Sequence, residues 1–182
     1  LYFIFGLICF QGFIGWYMVS SGLIDRVDVS HFRLSIHLLI AFVILSMIFW
    51  NYLKTIVNIF SKQTINLIIP VSFLFLIFLQ ISIGAFVSGM DAGKIYNSWR
   101  LMGKSIMHDD NSLSNLFKLY AFSYPSLVQF IHRKLAYLIG FVYLYLLFKI
   151  YRNKMYDLYK SINILGFFIL LQIILGIFTL LY

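Results

Sequence analysis

Glutamate is missing altogether: all six acidic residues of this 182-residue chain are aspartates. They are scattered, so no paired-carboxylate site can be drawn. The single cysteine, Cys9, lies in an apolar run, which excludes an intrachain disulfide and a thiolate-held metal cluster. Proline occurs twice, at Pro70 and Pro125. No glycine-rich phosphate loop is present, and no Ser-His-Asp arrangement can be argued. Charge is scarce as well, at 11% of residues against about a quarter in soluble domains.

In place of charge stands apolar surface: 62% of residues are hydrophobic and mean hydropathy is +0.93. These values point to a membrane protein. The formal charge of +8 does not read as a nucleic-acid surface, because the basic residues lie between apolar runs rather than in one patch. They read as loop charges facing membrane lipid. The chain begins at Leu1 within one apolar run and ends within another, which reads as an internal fragment.

A helical span needs about 20 mostly apolar residues. Five segments qualify, at 1–20, 34–53, 64–88, 126–148 and 161–182. Pro70 falls in the first turns of the third and Pro125 just ahead of the fourth, where proline suits a helix start. Trp16, Tyr17, Trp50 and Tyr52 sit near span ends as interfacial anchors. The fold class is therefore all-α, a polytopic transmembrane helical bundle with five spans. The short connections 51–64 and 149–160 hold six Lys/Arg and one Asp, a density that places them on the cytoplasmic side.

One pattern recurs. Gln11 and Gly15 in the first span, Gln80 and Gly84 in the third, and Gln172 and Gly176 in the fifth share the spacing Gln-x-x-x-Gly. Residues four apart lie on one helix face, where the amide can bond and the glycine admits a neighbouring helix. Ordinary helix packing would also explain each pair. Recurrence in alternate spans points to a repeated helix pair.

Of the four histidines, His37 and His132 fall inside the second and fourth spans, each one or two turns from the same end. Alternate spans run the same way, so the two imidazoles share one depth. Ionisable groups inside a membrane mark function by default, and neutral imidazole is a common axial haem ligand. Arg33 is at i−4 from His37 and Gln129 at i−3 from His132, so each shares its histidine's face. Arg133 projects close by, where its fork suits a haem propionate. A snorkelling or satisfied core histidine is the plainer alternative. His31 reads as the neighbour of a Ser30 helix cap or a surface group, and His108, beside Asp109 and Asp110, as a solvated loop residue.

Four stretches in order, "GWYMVSSGLIDRVDVSHFRLSIHL" (15–38), "QISIGAFVSGMDAGKIYNSWRLMG" (80–103), "PSLVQFIHRKLAYL" (125–138) and "LLQIILGIFTLL" (170–181), resemble haem A synthase. The likeness is to the branch of alphaproteobacteria and mitochondria and covers nearly the whole chain. The resemblance implies eight spans in two similar four-helix halves (4+4), of which this chain would supply the third to seventh. Residues 1–63 would form the second helix pair of the first half, and 64–182 the first three spans of the second. It implies that haem O is oxidised at a methyl group to the formyl of haem A in a bacterial inner membrane, for cytochrome oxidase biogenesis. Haem b would be the cofactor of the second half and haem O the substrate in the first. His37 and His132 would be axial ligands of different haems, each with its partner outside the chain. Arg33, Gln129 and Arg133 would contact haem. The family's essential glutamate, three residues before the first ligand, would lie upstream; Gln129 holds the equivalent place in the second half. A haem O synthase, an electron donor such as ferredoxin and further copies of the chain are the expected partners.

Two features depart from the family: "SWRLMGK" replaces a motif with proline at Arg100 and an acidic residue before Gly103, and the outer-loop cysteine pair of other branches is absent. Two other readings use the same residues. A b-type multihaem cytochrome would carry electrons without oxygenase chemistry. A transporter would need helices broken at mid-membrane.

Overall fold

In lipid, a backbone with no water to bond must satisfy itself, and the apolar runs do so as helices. The computed structural model of the chain describes residues 2–22, 29–56, 65–99, 101–104, 106 and 119–182. It contains α1 (Tyr2–Gly22), α2 (His31–Ile56), α3 (Ile68–Gly89), α4 (Pro125–Arg152) and α5 (Tyr156–Leu181). All five are long and apolar enough to cross a membrane. Short 3-10 turns at Ala92–Lys94 and Leu119–Ser123 lie between α3 and α4. No β-strand occurs among the described residues.

The expected spans return with shifted ends. Helix α3 starts at Ile68 rather than 64, so Pro70 sits in its first turn, where the missing N–H is no loss. Pro125 is the first residue of α4, and Tyr124 before it is extended (φ −103°, ψ 112°), as a residue preceding proline should be. Helix α5 starts at Tyr156, five residues before the expected 161, because Asp157 and Lys160 are carried on its first turns. His31 is not in a loop: it opens α2, and the Ser30 carbonyl accepts the Leu34 N–H at 3.0 Å.

Two helices end on left-handed residues that are not glycine. After α4, Lys154 (φ 52°) donates its N–H to the Tyr151 carbonyl at 3.1 Å and Met155 to that of Ile150 at 3.0 Å, closing a Schellman motif. Met155 and Ile150 are both buried, which supplies the motif's apolar contact. Asp91 (φ 51°) ends α3, with its N–H on the Ser88 carbonyl.

Each helix packs on the next, from α1 on α2 to α4 on α5. Gly89 at the end of α3 lies against His31 at the start of α2, which makes that pair antiparallel. A core of Phe73, Ile139, Leu146, Ile150, Met155 and Ile162 joins α3, α4 and α5. Most other large apolar side chains are exposed, as expected of surface that faces hydrocarbon.

Candidate functional site

The two intramembrane histidines occupy matching surroundings. His37 is six residues past the start of α2 and His132 seven past that of α4, about 9–10 Å along each axis. Each faces the preceding helix at its Gln-x-x-x-Gly turn. The Gln11 Nε2 amide donates to the His37 backbone carbonyl at 2.9 Å and meets the ring Nε2 at 3.3 Å. The Gln80 Nε2 amide meets His132 Nε2 at the same 3.3 Å. A Cβ at Gly15 would come within 3.1 Å of His37 Cε1, and one at Gly84 within 3.2 Å of His132 Cε1. The glycines are the space in which the rings sit. Two of the three repeated faces read from the sequence are thus histidine seats, which the sequence did not reveal because their partners are 26 and 52 residues away.

His132 also lines a cavity of about 740 Å³ between α2, α3, α4 and α5. Leu34, Leu38 and Phe42 form one wall; Gln80 and Gly84 face them from α3. Gln172 and Gly176 bring the third copy of the spacing to the same space, and Trp99 and Arg133 close its end. The volume lies in the range of small-molecule and cofactor pockets, about 300–1,000 Å³, and the walls are mostly apolar.

Arg133 does more than line this space. Its Nη1 donates to the carbonyls of Ser98 at 2.9 Å and Leu101 at 3.3 Å, and its Nη2 to that of Tyr96 at 2.8 Å. Three of its five N–H groups thereby hold the segment after α3, which leaves two for a ligand. Gln129, 2% exposed, donates to the carbonyls of Gly93 (3.4 Å) and Tyr96 (3.2 Å) and does not line the cavity. Its place is under the outer segment, with Leu127 and Val128 beside it fully buried. The Arg33 guanidinium lies over the Tyr17 ring, 4.9 Å from its centroid, tying α1 to α2. Sequence reasoning placed Arg33, Gln129 and Arg133 near the histidines but not on these partners. His31 packs edge-on against Phe86 of α3. His108 and Arg100 lie outside the described residues.

Haem fits these residues. Its iron brings four ring nitrogens, so one imidazole per face suffices, and among the described residues no three His, Cys, Asp or Glu converge to hold a bare ion. The Nδ1 atoms of both rings and the Oε1 atoms of Gln11 and Gln80 are buried without partners among the described residues. Buried polar atoms are normally satisfied, so such orphans concentrate where something further is bound or the site has a task.

Comparison with known proteins adds three observations. The family model described as "Cytochrome oxidase assembly protein" (COX15-CtaA) matches residues 1–182. The chain is 51% identical over 181 residues to a haem A synthase of Pelagibacter ubique, covering 98% of this chain and 53% of that protein. It is 42% identical to a haem A synthase of Flavobacterium johnsoniae (95% and 52% covered) and 39% identical to one of Rickettsia bellii (97% and 54%). The chain thus spans about half the length of the curated relatives it matches. No solved structure matches.

Proposed function

This chain belongs to the COX15-CtaA family of cytochrome oxidase assembly proteins, and we propose that it forms part of a haem A synthase. That enzyme is a multi-pass membrane oxidoreductase converting haem O to haem A, here in a bacterial inner membrane. The observation that carries the reading is the pair of equivalent histidine seats, one of which opens on a cavity of cofactor size. His37 and His132 are the axial ligands in this reading, and they serve separate haems in two halves divided near residues 63 and 64. Haem b is held at His132 and haem O at His37.

When bound, haem supplies the redox chemistry that takes a porphyrin methyl group to a formyl. The chain's own residues do the rest. Leu34, Leu38 and Phe42 give the His132 cavity an apolar wall for the macrocycle. The two N–H groups of Arg133 left over from the loop carbonyls suit a propionate at the cavity's end. A haem O synthase delivers the substrate, a donor such as ferredoxin supplies electrons, and copies of the chain associate.

The test is haem extraction from the full reading frame co-expressed with a haem O synthase, followed by chromatography with mass detection. Haem A or its hydroxylated precursor is expected. Haem B alone, with haem O untouched, would instead make the protein an electron-transfer cytochrome. A preparation with no haem would end the haem reading.

A further inference from the structure

We propose that Gln11 and Gln80 are positioning residues that set the tautomer of His37 and His132, leaving the Nε2 lone pair of each ring ready for iron. The inference rests on the haem reading above and goes beyond it, to residues on neighbouring helices.

The first step is the identity of the atom that faces the ring. A backbone carbonyl only accepts hydrogen bonds, so the Gln11 atom 2.9 Å from the His37 carbonyl is the amide nitrogen. The same nitrogen lies 3.3 Å from His37 Nε2. An amide N–H can only donate, so Nε2 must accept and the ring proton must sit on Nδ1. Gln80 reproduces the contact on His132 at the same distance. Which ring nitrogen carries the proton is set by the bond the other makes, and a histidine side chain with no such bond favours Nε2. Without the glutamine, each ring would therefore put its proton where iron has to bind.

Nothing else at these rings competes for the role. The Nδ1 atoms of both histidines are buried without an acceptor among the described residues, so neither tautomer is chosen from that side. The glycine four residues after each glutamine keeps the ring edge close, at 3.1 and 3.2 Å from the position of a Cβ. Two separate helix pairs repeat the contact of amide and ring at the same distance, while the added bond to the backbone carbonyl belongs to Gln11. The amide is also the group that gives way when the lone pair is used. Gln11 retains its backbone carbonyl then.

The test uses the full reading frame labelled with 15N-histidine, prepared haem-free and then titrated with haem. In the haem-free protein the 15N shifts should show His37 and His132 with the proton on Nδ1. Gln80→Glu keeps the shape but presents only acceptors; it should invert His132 alone and weaken haem uptake there about 10- to 100-fold, the usual range for an outer-sphere partner. Gln11→Glu should do the same to His37 alone. Gln80→Leu, which tolerates burial better, should release His132 to a tautomer mixture. A proton on Nε2 in the unaltered protein, or an unchanged tautomer in all three variants, would overturn the proposal. Absence of any haem uptake in the unaltered protein would overturn the haem reading, and the tautomer measurement would still decide the glutamines' role.

Discussion

At the scale of single residues, the site is defined by what each side chain has left to give. His132 offers a lone pair, and His132→Ala should remove one b-type haem signal from the optical spectrum of the intact protein; an unchanged haem content would refute the assignment. Gly84 offers only room. A Cβ there would stand 3.2 Å from the ring, closer than nine in ten such contacts, so Gly84→Ala should lower haem occupancy at His132 and Gly84→Val should abolish it.

Arg133 gives most of its donors to backbone. Arg133→Lys keeps the charge but replaces a planar fork with a point donor, so the carbonyls of Tyr96, Ser98 and Leu101 cannot all be kept. Each lost charge-assisted bond is worth about 1.5–3 kcal/mol and each 1.4 kcal/mol is a factor of ten. Amides of 96–101 should therefore exchange with deuterium about tenfold faster or more, which mass spectrometry reads directly. Arg133→Leu should also shift the haem reduction potential, and an unaltered redox titration would count against a propionate contact.

At the scale of helices, the sequence spoke clearly about existence and poorly about partners. Five apolar runs became five helices, because a chain in lipid has few other ways to satisfy its backbone. Pro125, expected just ahead of the fourth helix, is its first residue. The end of α5 nearest the loop was misjudged by five residues, since Asp157 and Lys160 look like loop residues but reach outward from a first turn. The Gln-x-x-x-Gly faces were legible as faces. That two of them clasp histidines was not, because helical periodicity names the side that is buried and not what meets it. The reach of Arg133 was equally hidden, as a guanidinium serves carboxylate and carbonyl alike. Lys154 ends α4 in the left-handed region at a cost of roughly 1–2 kcal/mol that glycine would not incur. Lys154→Gly should raise the thermal midpoint of the purified protein, by about 1 kcal/mol of stability.

At the scale of the whole molecule, the antiparallel order puts both histidines at one face of the membrane and the α4–α5 turn at the other. The density of Lys and Arg in 51–64 and 149–160 gives the expectation that this turn is cytoplasmic, and labelling tests it. With Cys9 replaced by Ser, Lys94→Cys should react with a membrane-impermeant maleimide in whole cells whose outer membrane has been permeabilised. Lys154→Cys should react only after lysis. The reverse pattern would invert the topology and move both histidines to the cytoplasmic side.

The two seats differ in spacing: 26 residues separate glutamine from histidine in the first pair, and 52 in the second. Closing a flexible loop twice as long costs only about 0.6 kcal/mol. A single charge-assisted bond from Arg133 to the segment after α3 more than offsets that. The polymer physics of the connection therefore places almost no restriction on its length, whereas the contact at each seat ties one glutamine to one histidine. Such a helix pair behaves as a cassette: its outer connection is free to grow, shrink or acquire contacts of its own while the clasp beneath stays fixed. The second copy has used that freedom, in the bonds Arg133 and Gln129 make to the segment after α3.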